Sequence, residues 1–208
     1  YAFTTTIGGV NQMPKLKALE SFMDWEPEHL WDYKRDGNIY YIDHHQSHAA
    51  YAYLTSEFKE TDILAIDGRG YKYNTVFFDK HGKPYNLKLD IGEVWDWFSK
   101  EMGFGSLGAS KVMGLAAHGK PDAFYMQQKW EKRALELCKK FEGRKIVLAG
   151  GCFLNCVVNY KLQRELDVRI RAMPIAHDGG TSIGAAYLAT LNKTLATTHA
   201  NISNQEHE

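Results

Sequence analysis

Three histidines lie within five residues of one another, in the run D-H-H-Q-S-H at residues 43–48. His44 and His48 are four positions apart, so on a helix both imidazoles lie on one face with their Cβ atoms about 5–6 Å apart. Two imidazoles at that spacing can ligate a single metal ion. The alternative is a cluster that lies on a polar surface or satisfies its own hydrogen bonds within a core.

Three turns that carry glycine are the second source of chemistry. They read D-G-R-G at residues 67–70, G-G-C-F-L-N at residues 150–155 and D-G-G-T at residues 178–181. Ligands bind at the carboxyl ends of strands in α/β folds, and glycine lets backbone amides approach a phosphate closely. D-G-x-G alone is a common turn. With the histidine pair, and with Asp178 able to complete a two-His, one-carboxylate set, the three turns predict a cleft that handles phosphate and metal.

The densest glycine segment, residues 103–119, matches neither a Walker A loop nor a dinucleotide-binding fingerprint. Its spacing predicts a close-packed turn followed by a short helix. Lys111 within it either contacts an anion or is solvated.

The composition is that of an ordinary globular protein. The 208 residues include 25 Lys and Arg and 25 Asp and Glu, so the formal charge is zero, which argues against a strong positive field for holding nucleic acid. A local basic patch is compatible with that balance. No apolar run approaches the length of a membrane span, and no signal peptide is visible. Without a C-x-x-C pair, Cys138, Cys152 and Cys156 fit small buried residues of a cytoplasmic protein better than a disulfide framework, a zinc ribbon or a nucleophile.

Alternating strands and helices must position these residues, which indicates an α/β architecture. Strands are predicted at 38–42, 63–66, 74–78, 85–89, 146–149 and 168–172. Helices are predicted at 16–22, 26–32, 44–58, 94–102, 109–117, 122–141, from the turn at 150–151 to 166, and at 181–191, with Asp43 as the N-cap of the histidine-bearing helix. We expect residues 1–37 to form an amphipathic segment, residues 38–191 a domain and residues 192–208 a polar tail or linker.

The ordered set of motifs resembles one known family. D-H-H-x-x-H-A-A-x-A, D-G-x-G, K-V-M-G-L-A-x-x-G, L-A-G-G-x-x-L-N-C-x-x-N and P-x-x-x-D-x-G-T-x-x-G-A-A follow one another between about residues 38 and 191. In this order they resemble the O-carbamoyltransferases of nodulation-factor and antibiotic biosynthesis. The third and fourth motifs favour that family over the tRNA threonylcarbamoyl transferases and the hydrogenase-maturation carbamoyltransferases.

The resemblance implies an actin-like/hexokinase-like ATPase (ASKHA) fold of the threonylcarbamoyl-transferase type. It also implies a reaction in which carbamoyl phosphate and ATP form a carbamoyl-adenylate that donates its carbamoyl group to a hydroxyl of a sugar, a small molecule or a modified nucleoside. A divalent metal, Fe²⁺ or another ion such as Zn²⁺ or Mg²⁺, would be held by His44, His48 and Asp178. The phosphate-side and nucleotide-side positions implied are Asp67, Gly68, Gly70, Gly150, Gly151, Asn155 and Gly179. Asp67 and His45 are the implied catalytic residues, with His45 either orienting the metal site or transferring a proton.

The chain also departs from that family. Its members begin with a strand and a further phosphate loop, for which nothing before Asn38 provides a match, and they carry a second domain that resembles carbamoyl-adenylate synthases. The stretch from Gly119 to Lys145 is shorter than expected as well. We therefore expect a fold incomplete at its N-terminus, in a piece of a longer protein that has the synthase-like domain in cis; a natural miniature is the alternative. A homodimer is compatible with the sequence.

Three other functions fit parts of the pattern. A threonylcarbamoyl transferase would bind tRNA, for which the zero net charge gives no support. A non-catalytic module of the same fold would bind nucleotide or a partner. A sugar kinase fits least, because kinases of this fold do not need H-x-x-x-H.

Overall fold

The computed structural model describes residues 2–4, 40–58, 60–68 and 74–190. The predictions made for Gly70, for the helices at 16–22 and 26–32 and for the tail at 192–208 lie outside the described residues. The N-terminal segment predicted at 1–37 is described only at residues 2–4, and the strand predicted at 38–42 only from Tyr40 onward.

Strands and helices alternate through the described residues, as an α/β architecture requires. The strands are β1 (Ala2–Thr4), β2 (Tyr40–Ile42), β3 (Asp62–Ile66), β4 (Thr75–Phe78), β5 (Pro84–Asn86), β6 (Lys145–Ala149) and β7 (Arg169–Ala172). The helices are α1 (His44–Thr55), α2 (Ile91–Glu101), α3 (Ala109–Ala117), α4 (Pro121–Cys138), α5 (Cys156–Glu165) and α6 (residues 181–190). Short 3-10 helices lie at Lys139–Phe141, Gly151–Leu154 and Asp178–Gly180.

Five strands form one mixed sheet in the order β5-β4-β3-β6-β7. The central strand β3 is antiparallel to β4 and parallel to β6, so Leu64 lies opposite Phe77 on one side and Leu148 on the other. β1 and β2 pair in parallel as a separate two-stranded sheet. Because β3 and β6 are parallel neighbours, the turns that follow them, beginning at Asp67 and Gly150, lie at the same edge of the sheet.

The two central strands are continuously apolar because helices cover both faces of the sheet. Ile63 and Ala65 face the side where residues of α1 and α6 pack. Leu64 and Ile66 face the side covered by residues of α2, α3, α4 and α5. The histidine-bearing helix α1 is thus fixed against the centre of the sheet.

Helix α4 shows how the sequence pattern sets a helix and its buried face. Pro121 occupies its first turn, where the missing amide hydrogen costs no hydrogen bond. Ala123, Met126, Trp130 and Ala134 recur every three or four residues and are all buried. Within the part of the chain that the structure describes, α4 and the other helices all lack the combination of length and apolar character needed to cross a membrane.

Most predicted elements are confirmed, and the differences lie at their ends. Asp43 caps α1 as predicted, because its Oδ1 accepts the backbone N–H groups of His45 and Gln46 at 2.8 and 3.0 Å. α1 ends at Thr55 rather than at residue 58, because Ser56 is extended. The helix predicted to follow the glycines at 150–151 is interrupted: a 3-10 turn comes first, and α5 starts only after Asn155.

Candidate metal centre and its adjoining cleft

The amino terminus of α1 meets the carboxyl end of β3 at the candidate site. The Asp43 cap fixes the first turn of α1, and the spacing of four residues places His44 and His48 on the same face of that helix. Both histidines are buried. Asp67 is the first residue after β3, and Asp178 opens the short 3-10 helix before α6.

Four side-chain donors converge at this point. The Nε2 atoms of His44 and His48 lie 2.9 and 2.8 Å from Asp67 Oδ2. The same two nitrogens lie 3.6 and 3.5 Å from Asp178 Oδ1 and 3.2 Å from each other. All four donors lie within 4.8 Å of one another. The structure therefore brings the three predicted ligands together and adds Asp67 to them.

The donor set fits a divalent metal ion. Imidazole nitrogens with carboxylate oxygens are ligands of zinc and of non-haem iron. An ion with bonds of about 2.0–2.2 Å holds neighbouring ligand atoms roughly 3.0–3.5 Å apart, close to the separations seen here. The Asp178 side chain is 72% exposed, so one side of the cluster is open. A ligating histidine usually donates its second N–H, whereas the buried Nδ1 of His48 has no partner among the described residues.

Contacts within the cluster shift the pKa values of its own members. Burial on its own raises the pKa of Asp67, but the hydrogen bonds from His44 and His48 hold that pKa well below its usual range. Burial on its own lowers the pKa of His48, but hydrogen bonds and charge interactions with Asp178 and Asp67 raise it above its ordinary value. Asp67 is therefore an anion at neutral pH, which suits a ligand better than a proton acceptor.

His45 lies beside the cluster rather than in it. Its ring centroid is 5.4 Å from that of His44 and 6.5 Å from that of His48. Burial, followed by the charges of those two histidines, lowers the pKa of His45 to about 3. Its Nε2 is buried and has no hydrogen-bond partner in the described part of the chain. The predicted catalytic residue is thus a neutral imidazole behind the ligands.

Glycines hold the Asp67 turn by close backbone contact. Asp67 Oδ1 accepts the N–H of Gly68 at 2.6 Å. A Cβ atom at Gly92 of α2 would lie 2.0 Å from the Asp67 carbonyl oxygen, and one at Gly150 would lie 2.2 Å from the carbonyl oxygen of Ile66. Gly150 also has a φ of 89°, which glycine adopts without strain. No larger residue lets α2 and the end of β6 approach the turn so closely.

A cleft of about 590 Å³ opens beside the four donors. Asp67 and Asp178 form part of its wall, so the cluster borders the cleft. This volume lies within the range of about 300–1,000 Å³ that is usual for small-molecule sites. The other polar side chains of the wall are Asp96, Lys100, Ser106, Ser110 and His177.

Much of the wall comes from elements to which the sequence assigned no site residue. α2 and the glycine-rich segment contribute Trp95, Asp96, Lys100, Ser106 and Met113. The signal that could have identified them is the serine pair within G-F-G-S-L-G-A-S, where small residues allow a close approach to a ligand. Lys111 of the same segment is exposed, with its Nζ 5.6 Å from the centre of the Phe104 ring.

The predicted phosphate-side and nucleotide-side residues take different places. Gly68 and Gly151 line the cleft. Gly150 lies behind them against β3, and Gly179 is exposed beside Asp178. Gly70 lies outside the described residues. Two of the predicted glycines therefore line the cleft.

The contacts of the Asn155 side chain are with its own helix and with α4. Its side chain is buried, its Oδ1 accepts the N–H of Val158 at 3.1 Å, and its Nδ2 donates to Gln127 Oε1 at 2.6 Å. It therefore caps α5 and ties that helix to α4. Asn155 is not among the residues that line the cleft.

The cysteines agree with the structural role expected for them, with one difference. Cys138 and Cys152 are buried, and burial raises the pKa of the Cys138 thiol to about 12 and that of Cys152 still further. Cys156 is exposed, contrary to the expectation that all three are buried. Although Cys152 lies in the cleft wall, its thiol is a poor nucleophile there.

The five-stranded sheet and the helices packed on it have the actin-like ATPase fold, the ASKHA fold. The activator of 2-hydroxyisocaproyl-CoA dehydratase from Clostridium difficile, solved with bound ADPNP, superposes with a TM-score of 0.52 at 16% identity, covering 80% of this chain and 72% of that chain. A ROK family protein from Streptococcus pneumoniae TIGR4, solved with sucrose, gives a TM-score of 0.51 at 13% identity, covering 76% and 67%. The predicted fold class is confirmed.

Within that class, the chain belongs to the carbamoyltransferase family. The model of the carbamoyltransferase N-terminus matches residues 26–134 and 129–187. Nodulation protein NolNO of Sinorhizobium fredii is 25% identical, over 72% of this chain and 31% of that protein. The uncharacterized protein sll1178 of Synechocystis is 27% identical, over 71% and 36%. The chain thus spans about a third of the length of these curated relatives.

Proposed function

We propose that this chain carries the metal centre of an O-carbamoyltransferase. The enzyme would transfer a carbamoyl group from carbamoyl phosphate, through an ATP-dependent carbamoyl-adenylate, to a hydroxyl of a small molecule, a sugar or a modified nucleoside. The observation that carries the proposal is the convergence of His44, His48, Asp67 and Asp178 beside a cleft, in a chain of the carbamoyltransferase family. The acceptor, the adenylate and the synthase-like domain in cis are parts of this proposal.

The four donors would hold Fe²⁺ or another divalent ion such as Zn²⁺ or Mg²⁺. When bound, such an ion polarises a carbonyl or phosphoryl oxygen as a Lewis acid. Asp67 contributes a permanent negative charge, because its pKa is held well below the usual range. The exposed Asp178 lies on the cleft side of the cluster, where the metal would be accessible to a ligand.

His45 supports α1 and the ligands rather than moving a proton. Its pKa of about 3 keeps it neutral at physiological pH, and its ring lies behind His44. A buried neutral imidazole there adds no positive charge that would repel a metal cation. Of the two roles that the sequence left open for His45, we therefore propose the orienting one.

The charges of the cleft favour joint binding of metal and phosphate. The wall contains the carboxylates of Asp67, Asp96 and Asp178 and the ammonium of Lys100, which pairs with Asp96. A phosphate entering this wall alone would meet net negative charge. A divalent ion on the cluster neutralises that local charge and adds a cation for the phosphate to contact, while Gly68 and Gly151 leave room for close backbone approach.

Metal analysis and transfer assays test the proposal together. The purified chain should contain a stoichiometric divalent ion, and His48→Ala should lower its metal affinity by at least about 100-fold, because it removes a ligand rather than an outer partner. His118→Ala, at an exposed histidine outside the cluster, is the matched control. The chain, assayed alone and within its full-length gene product, is then given carbamoyl phosphate, ATP and a library of hydroxyl acceptors.

The assay separates the alternatives. Carbamoyl transfer that depends on His48 supports the proposal. Transfer from threonylcarbamoyl-adenylate to tRNA, without carbamoyl transfer, would favour the tRNA-modifying alternative. Metal and nucleotide binding with no transfer, even by the full-length protein, would favour a non-catalytic module. Absence of any bound metal, with transfer unchanged in His48→Ala, would refute the metal centre.

A further inference from the structure

The inference concerns His177, a cleft residue outside the four-donor cluster. It lines the cleft and directly precedes Asp178. Its side chain has an assigned contact on one nitrogen only: His177 Nδ1 accepts the backbone N–H of Gly179 at 3.0 Å. The other ring nitrogen, Nε2, has no partner among the described residues.

This contact sets the tautomer. A nitrogen that accepts a hydrogen bond from a backbone amide carries no proton, so in the neutral ring the proton is on Nε2. The ring lies over Gly179, where a Cβ atom would come within 2.5 Å of His177 Cε1. The glycine turn therefore holds the imidazole in place and leaves its Nε2–H available to donate a hydrogen bond.

We propose that His177 is a phosphate-binding residue of the cleft, its Nε2–H donating to a phosphoryl oxygen of carbamoyl phosphate or of the nucleotide. This inference rests on the proposed function and adds a recognition residue to it. The only ammonium of the described cleft wall, that of Lys100, is already paired with Asp96. Beside a bound metal ion, further contacts to a phosphate therefore fall to donors of the wall other than that ammonium.

A neutral donor suits this position for a further reason. A lysine or arginine next to Asp178 would pair with that carboxylate and compete with a metal ion for it. An imidazole whose Nδ1 is occupied by Gly179 binds an anion without drawing Asp178 out of the cluster. His177 can thus contact phosphate while Asp178 remains a ligand.

Two substitutions at His177 keep an acceptor for the Gly179 N–H and differ in whether the side chain can still donate a hydrogen bond. In His177→Asn the side-chain oxygen accepts the Gly179 N–H, as asparagine does in such turns, and the amide still donates. In His177→Asp the oxygen accepts the same N–H, but no donor remains. His118→Asn, at an exposed histidine of the α3 C-terminus, is the matched control.

The experiment measures binding of carbamoyl phosphate and, separately, of ADP to the metal-loaded chain by calorimetry. We expect His177→Asp to weaken binding of at least one ligand by about 10- to 100-fold, because the hydrogen bond to a charged group is lost and the new carboxylate repels the phosphate. His177→Asn should remain within about three-fold of the wild type. The ligand that is affected identifies whose phosphoryl group His177 contacts.

Metal affinity of the same variants is the second readout. It should not fall in either variant, because the proposed role does not act through Asp178. Wild-type binding with an unchanged affinity in His177→Asp overturns the inference and leaves the proposed function standing. A parallel loss of metal affinity overturns it too, since His177 would then act on the cluster. If the metal-loaded wild type binds neither ligand, the proposed function fails and the inference with it.

Discussion

Asp67 contacts both the histidine pair and the glycine turn that follows β3. Its Oδ2 lies within 3 Å of both imidazoles, at 2.9 and 2.8 Å, while its Oδ1 is held by the N–H of Gly68. With Asp178 it gives the cluster two carboxylates, whose combined charge a divalent ion neutralises when the histidines are neutral. This arrangement assigns Asp67 to metal binding as well as to the phosphate-side turn.

Replacing Asp67 by asparagine tests that assignment. Asp67→Asn keeps the size of the side chain but removes its charge, so we expect metal affinity to fall by at least about 10-fold. Competition with a chromophoric chelator measures the change. Asp122→Asn, on the exposed first turn of α4, should leave metal affinity unaltered. Equal affinity in both variants would exclude Asp67 as a ligand.

The three thiols should differ sharply in reactivity. Cys156 is exposed, whereas Cys138 and Cys152 are buried with raised pKa values. A thiol reagent at pH 8 should therefore label one cysteine in the native chain and three after denaturation. Peptide mapping identifies the labelled residue. Native labelling of Cys152 would show that its part of the cleft wall opens, contrary to the packing described.

At the scale of elements, the contact between α1 and α6 fixes the ligands relative to one another. A Cβ atom at Gly184 of α6 would lie 1.9 Å from the carbonyl oxygen of Ser47 in α1. The two helices thus touch backbone to backbone between His48 and the segment that carries Asp178. Small changes in this contact would alter the distance between the imidazoles and Asp178.

A methyl group at position 184 should therefore cost stability. We expect Gly184→Ala to lower the free energy of unfolding by about 1–3 kcal/mol, as overpacking does, and to weaken metal binding. Gly114→Ala is the matched control: its Cβ would meet open space in α3, so stability should rise by up to about 1 kcal/mol. Urea denaturation measures both. An unaffected Gly184→Ala would mean that α6 can move away from α1 freely.

Asn155 offers a second test at this scale. Its oxygen caps α5, and its amide pairs with the buried Gln127. Asn155→Ala should cost about 1–3 kcal/mol, from the lost cap and an unsatisfied partner, while ADP affinity stays the same. Thermal denaturation and calorimetry distinguish this from the nucleotide-binding role that the sequence predicted. A selective loss of ADP affinity at unchanged stability would restore that role.

The sequence predicted the elements well because their signals are local. The Asp43 cap, the continuous apolar strands and the spacing of His44 and His48 each involve neighbouring residues. Asp67 joins the histidines only because of the way β3 lies against α1. Similarly, α2 and residues 103–119 form the cleft wall only through packing between segments that are distant in the sequence. Neither of these tertiary contacts produces a periodic pattern in the sequence. For Asn155, the sequence does not distinguish a capping asparagine from a ligand-binding one, because both follow a glycine turn.

At the scale of the whole molecule, the site is assembled from parts far apart in the sequence. The donors come from residues 44–48, 67 and 178, and the wall of the cleft also draws on residues 92–113 and 151–154. A ligand that contacts all of them binds only the folded chain. Metal at 100 times its dissociation constant should then stabilise the fold by about 2.7 kcal/mol.

The same assembly predicts that metal and phosphate binding are coupled. Without an ion, the carboxylates of Asp67, Asp96 and Asp178 oppose an anion in the cleft. A bound divalent ion neutralises that charge and attracts the phosphate directly. We expect a chelator to weaken carbamoyl phosphate binding by at least about 10-fold, a coupling of about 1.4 kcal/mol, which is typical of linked sites. Calorimetry of the metal-free and metal-loaded chain measures it.

Thermodynamic linkage provides a second test of this prediction, because carbamoyl phosphate must then raise metal affinity by the same factor. The two titrations are independent measurements of one free energy, so a mismatch would show that one of them was not at equilibrium or did not measure the same binding event. In His48→Ala both couplings should disappear together. Lys100→Met should weaken phosphate binding with or without metal, because it leaves the carboxylate of Asp96 unpaired in the cleft wall. If carbamoyl phosphate binds the metal-free chain as tightly as the loaded one, the phosphate lies away from the cluster, and the cleft serves the nucleotide or the acceptor instead.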